Sequence, residues 1–157
     1  MVTPMLKASL SCVLAIALCT TNVQALGRTS LQKAKVEALT GEVLRVVPCG
    51  SWREGEKFGT RRLVLMQVYG DAGTEVYMQW LSSPDQSTLE VQLVRTIAIE
   101  EFNNDHSQYY FSEATCLGSR SFSLLVLRGT YEHDERPRTR VFNVKVFDTG
   151  KYLVRKH

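Results

Sequence analysis

The chain lacks most of the signatures that would assign it a chemistry. His-Glu-x-x-His, Cys-x-x-Cys and Asp-x-Asp-x-Asp-Gly are all missing, so no metal or other cofactor is expected. Charge of one sign is scarce: 19 Lys and Arg face 16 Asp and Glu, a net +3. That is too little for the dense basic patch that nucleic acid or an anionic membrane surface selects. There is no internal repeat and no low-complexity linker, so a second domain is not expected. The segment after residue 25 has no Asn-x-Ser/Thr acceptor, which suits a bacterial periplasm.

What is present begins at the N-terminus. Lys7, an apolar run over residues 8–18 and the small-residue site Val23-Gln24-Ala25 together read as a secretory signal peptide, residues 1–25. The run is well short of the roughly 20 residues a membrane-spanning helix requires, so no membrane span is expected once the signal is cleaved. Ile16-Ala17-Leu18-Cys19 has the outline of a lipid-attachment site. Bulky Leu18 stands where such sites take a small residue, so cleavage after Ala25 is preferred. Residues 26–157 then form a single β-rich domain, periplasmic or secreted, long enough to bury roughly two-thirds of its unfolded surface.

The four cysteines divide two and two. Cys12 and Cys19 leave with the signal, and Cys49 and Cys116 remain as the only thiols in an oxidising compartment, where they are expected to pair. Closing a loop of about 68 residues would restrict the unfolded chain by roughly 4 kcal/mol in the chain-entropy model. Around one of them, Pro48-Cys49-Gly50-Ser51-Trp52 resembles over five residues the Cys-Gly-Ser-Cys-Trp nucleophile segment of papain-like cysteine proteases. The second cysteine is missing here, and Gly55 and Gly59 fall where a helix should start and lower the thiol pKa. A structural bridge accounts for Cys49 better than catalysis.

Behind Ser30, Leu31, Ala34, Ala38 and Leu39 recur at helical spacing before Gly41, which predicts one short helix; residues 36–47 also read as a strand bent at that glycine. From there the period becomes two. Residues 62–69 are apolar on both faces, as in a central strand, and residues 75–81 place Val76, Met78 and Trp80 on one side. Gly70-Asp71-Ala72-Gly73 reads as their hairpin loop. Residues 88–100 alternate cleanly, with Leu89, Val91, Leu93, Ile97 and Ile99 on a face that Arg95 interrupts. Straight, such a strand would run about 40 Å, so it should be coiled or broken. Further strands are expected at 108–114, 121–130, 138–147 and 152–155, with a turn at Asp148-Thr149-Gly150. The fold class is all-β: an antiparallel meander of seven to eight strands forming a barrel or sandwich.

Two clusters invite functional readings. Asn103-Asn104-Asp105-His106, behind Glu100 and Glu101, gathers metal-ligand types, but without a metal-binding spacing a polar turn is the preferred reading. Residues 132–140 are the most densely charged. A hairpin tip near Glu135 and Arg136 would put Arg136, Arg138 and Arg140 on one strand face, with acidic residues across from them. Such a finger either neutralises itself or docks on a partner through guanidinium–carboxylate pairs. Tyr109 and Tyr110 must point to opposite faces, so one of them should be exposed.

An exported, stapled β-domain without a catalytic signature points to a non-enzymatic protein-binding module, for example an inhibitor or immunity-type protein acting on a hydrolase in its own compartment. The expected contact residues are Glu132, His133, Asp134, Arg136, Arg138, Arg140, Asn104 and His106, with the loop at residues 49–59 as a further surface. Two other readings stand beside it. One is a barrel carrying a small molecule or lipid inside. The other is an enzyme assembled from dispersed residues such as Arg95, His106 and His133.

Overall fold

A period of two demands strands, and strands occupy most of the chain from residue 43 onward. The computed structural model describes residues 37–39, 43–68, 73–104 and 108–157. Its strands are β1 Val43–Glu54, β2 Lys57–Val68, β3 Gly73–Ser82, β4 Leu93–Ala98, β5 Tyr109–Gly118, β6 Phe122–Tyr131, β7 Thr139–Phe147 and β8 Tyr152–Lys156. They form two four-stranded antiparallel sheets, ordered β1-β2-β3-β4 and β5-β6-β7-β8. The all-β meander expected from the sequence is therefore present, as two sheets packed on a shared core and not as a closed barrel. The signal segment, most of the expected N-terminal helix and the Gly70-Asp71-Ala72 turn lie outside the described residues.

The core follows from strand parity. In β2, Leu63 and Leu65 face the second sheet, while Val64 and Met66 turn outward and pack with Tyr77, Leu39, Val43 and Ala98. Both faces of this interior strand are covered, which is why its sequence is apolar throughout. Val76, Met78 and Trp80 of β3 meet Phe111, Leu125, Leu127, Phe142, Val144 and Val146 from the second sheet. Burying each such side chain contributes about 1.5–3 kcal/mol.

Two expectations need correction. Residues 49–59 are not a loop: β1 continues through Cys49 to Glu54 and pairs with β2 across Gly55 and Glu56, with Trp52 opposite Gly59 and Arg53 opposite Phe58. Two glycines shape the hairpin. Gly50, at φ 79°, lies within a register shift between Pro48 and Ser51, and Gly55, at φ 61°, makes the tight turn. The segment 88–100 is broken, as its length required, and only β4 stays paired, but Leu89 and Val91 are exposed and not on a buried apolar face. Asp85 Oδ1 accepts the amides of Ser87 and Thr88 at 2.8 and 3.0 Å, and Leu89 adopts φ 60°, which stops the pleat.

The sheets are tied together between β1 and β5. Cys49 and Cys116 form a disulfide, and the Ser123 hydroxyl donates to the Cys49 carbonyl at 3.0 Å. Gly118 lies so close to the Cys49 carbonyl and Gly50 Cα that a Cβ there would overlap both.

Candidate functional site

An up-and-down meander sends alternate turns to opposite ends. The β1–β2, β3–β4, β5–β6 and β7–β8 connections meet at one end, where Arg61 touches Ser51, Ser119 and Asp148. The β4–β5 and β6–β7 connections meet at the other, where the Glu132 amide donates to the Gln108 carbonyl at 3.0 Å. The contact residues expected from the sequence are thereby divided. Residues 49–59 lie at the first end, and Asn104 and the charged segment at the second.

At the first end, strand parity directs Arg61 inward with Leu63 and Leu65, and its side chain is only 1% exposed. Its Nη1 donates to Asp148 Oδ1 at 2.8 Å, and Nη2 donates to the carbonyls of Ser51 and Ser119. Burial pulls the guanidinium pKa below its ordinary value, and Asp148 opposes that pull. Arg95 grips the same turn: its Nη1 donates to the Asp148 carbonyl at 2.7 Å while the guanidinium stacks on Trp80 at 5.3 Å. The arginine that interrupts the apolar face of β4 thus links the two sheets.

Beside Arg61 is an open groove of about 390 Å³ lined by Ser51, Trp52, Arg53, Phe58, Gly59 and Arg120. Trp52 is fixed by its indole N–H, which donates to the Leu81 carbonyl at 2.9 Å. Phe58 is 57% exposed. Among the described residues, no carboxylate pairs with Arg53 or Arg120; Arg53 Nε donates to the Gly55 carbonyl at 3.2 Å. Residues 83–92 extend the β3–β4 ribbon next to Phe58, whose carbonyl accepts from Ser83 N at 3.0 Å. This ribbon presents Leu89, 76% exposed, together with Val91. Its turn is held by Asp85, whose bonds to Ser87 and Thr88 lower its pKa to about 2.

At the second end, Phe102 and Phe142 pack edge to face against Tyr109 and Phe111, which stack on each other, with ring centroids about 5–6 Å apart. Arg140 closes this cluster. It stacks on Tyr109 and Tyr131 at 5.7 and 5.2 Å, donates to the Tyr109 hydroxyl at 3.0 Å and pairs with Asp134 at 2.7 Å. The Tyr109 bond and Asp134 raise its pKa. Arg136 and Arg138 do not share a strand face with it. β7 starts only at Thr139, because Pro137 has no N–H to give the ladder, so both lie exposed in the 132–138 loop. Glu132 is exposed, and so is His133, with its ring against Tyr131 at 5.5 Å. Asn104 Nδ2 donates to the Glu100 carbonyl at 2.9 Å, closing its own turn. His106 and Asp105 lie outside the described residues.

Arg95 and His133 stand at opposite ends of β7, a separation of about 30 Å at 3.3 Å per residue. Arg120 is a surface residue that sequence reasoning did not single out, and Leu89 and Val91, which alternation assigned to the apolar face of a strand, are exposed. Leu89 and Val91 could have been suspected, since Asp85-Gln86-Ser87 directly before them is a turn sequence. Arg120 carried no such signal, because its neighbours in the groove lie more than 60 residues away. Comparison with protein-family models, with curated proteins and with solved structures finds no match for this chain.

Proposed function

We propose that this chain is an exported, non-enzymatic protein-binding domain that docks on a partner through its groove end, in the manner of an inhibitor or immunity-type factor directed at a hydrolase of the same compartment. One observation carries the reading. Phe58, Leu89 and Val91 stand exposed at the same end as a groove whose two guanidinium groups have no carboxylate partner among the described residues. Apolar anchors with arginine beside them are the side chains that dominate protein interfaces. The frame beneath is cross-linked by the Cys49–Cys116 bridge and the Arg61 bonds, which limits the ordering cost of association. Export is supported by the signal-like N-terminus and by the disulfide, a bond that persists in oxidising compartments.

The test is affinity capture from the extracellular and envelope fractions of the source organism, with three forms of the protein as bait. One is unchanged, one carries Phe58→Asp with Leu89→Asp, and one carries Arg136→Glu with Arg138→Glu. A hydrolase held by the unchanged and the Arg136/Arg138 baits, lost from the Phe58/Leu89 bait and slowed by the bound domain, is the expected result. Loss only with the Arg136/Arg138 bait would move the contact surface to the charged loop. No specific capture by any bait overturns the reading.

A further inference from the structure

The groove is built with more reinforcement than a surface depression needs. Its two arginines arrive on different sheets, Arg53 from the end of β1 and Arg120 from the β5–β6 turn. The backbone just before each one is clamped to the same buried group: Arg61 Nη2 bonds the carbonyls of both Ser51 and Ser119. The Cys49–Cys116 bridge, the Gly50–Gly118 contact and the Ser123 to Cys49 bond lie on the same two stretches of chain. Few residues are thus left free to relax between the Arg53 and Arg120 backbones. Cations that face solvent from a fixed backbone, with aromatic walls on one side, select a carboxylate attached to an apolar body.

We propose that this groove is a carboxylate-recognition site, in which Arg53 and Arg120 take the charge and Phe58 and the Trp52 edge take an adjacent aromatic or large apolar side chain. The occupant is a short acidic-aromatic segment of a partner protein, which makes this a deepening of the protein-binding reading above. Charge complementarity argues for it: two of the six lining residues are arginines and none is acidic. Size argues for it too. An open volume of about 390 Å³ lies near the lower end of ligand pockets and accommodates one or two residues of a chain passing across it. The carboxylate has two sources in a protein, an Asp or Glu side chain or the C-terminus, and the guanidinium chemistry is shared by both.

The test is titration of the isotopically labelled, disulfide-bonded full chain, followed by nitrogen–proton NMR. Three peptides are used: acetyl-Gly-Phe-Glu-Gly-amide, acetyl-Gly-Gly-Phe with a free carboxylate, and acetyl-Gly-Phe-Gln-Gly-amide as the neutral control. The Trp52 indole N–H and the amides of residues 51–59 and 119–121 are the reporters. At least one carboxylate peptide should bind saturably, with a Kd of about 1 mM for so small a fragment, and the tighter of the two identifies the source. The neutral control, Arg53→Ala and Arg120→Ala should each bind at least about tenfold more weakly, roughly 1.4 kcal/mol. Binding should also fade in about 1 M sodium chloride, where the Debye length falls to about 3 Å. Both arginines are exposed, so the rest of each variant's spectrum should be unchanged and serves as the folding control. The inference is overturned if neither carboxylate peptide saturates by about 10 mM, if the neutral control binds equally, or if both alanine variants bind as the parent does. Should the capture experiment succeed while these peptides fail, only the groove chemistry falls; the reverse pattern would retire the hydrolase-partner reading and leave the carboxylate site standing.

Discussion

Replacing Arg61 with methionine should destabilise the protein by about 4 kcal/mol, far more than a surface charge is worth. Methionine fills much of the volume but removes the donor for three acceptors at once: Asp148 Oδ1 and the carbonyls of Ser51 and Ser119. Breaking a buried ion pair from one side costs about 3–5 kcal/mol. The Asp148 side chain is 18% exposed and rehydrates in part, which favours the lower end of that range. Each carbonyl left without a donor adds about 1–3 kcal/mol when no water replaces it, which pushes the other way. The assay is urea unfolding with the disulfide intact, followed by tryptophan fluorescence, since Trp52 and Trp80 are both buried. Arg62→Met is the internal reference. Its side chain lies on the other face and donates to Gln79 at 2.7 Å, so its loss should cost about 1 kcal/mol. A double-mutant cycle with Asp148→Asn should give a coupling energy of about 2 kcal/mol. An Arg61→Met cost within about 1 kcal/mol of the parent, or a coupling near zero, would refute the claim that this guanidinium holds the sheets together.

Changing Cys49 and Cys116 together to serine should lower stability by about 4 kcal/mol, read as a shift in urea midpoint, given the 67-residue separation of the bridged positions. Gly118→Ala should cost about 3 kcal/mol or more, because the Cys49–Gly50 backbone blocks the new Cβ; Gly55→Ala, with positive φ but open space, should cost only about 1–2 kcal/mol, and thermal unfolding separates the two. Carbon-detected NMR should place the Asp85 titration at about 2, below the ordinary 3.8. The folded value is the depressed one, so the turn's stabilisation is full above about 4 and is lost as pH falls towards 2, a window in which the Leu89 amide signal should move.

Much of the frame was legible because it depends on local alternation. Val76, Met78 and Trp80 share the buried face that their spacing implied, and residues 63–66 are buried on both faces as their unbroken apolar character required. Tyr110 is half exposed while Tyr109 packs inward. Alternation was silent, or misleading, wherever a side chain or a glycine redirected the backbone. Gly50 concealed a bulge within β1, and the Asp85 turn made an exposed ribbon out of an apparently ideal strand. Five of the six groove residues fall in the 49–59 stretch already expected as a contact surface, but its closure against Arg120 was beyond local reading. Arg61 meets Ser119 and Asp148 across 58 and 87 residues, and no periodicity reports a partner that distant. Even the charged segment, so prominent in composition, turned on one proline: Pro137 delays β7 and leaves Arg140 alone to engage the aromatic cluster.

Each sheet is one uninterrupted length of chain, and the backbone passes between them once, from β4 to β5. A cut within residues 99–108 would therefore yield two fragments that each keep every strand-to-strand hydrogen bond of their own sheet. Sulfur would still hold the pair together, since Cys49 belongs to one fragment and Cys116 to the other. Nicked in this way, the molecule becomes a two-piece assembly whose covalent link, beside the shared core, is set by the redox state of its surroundings.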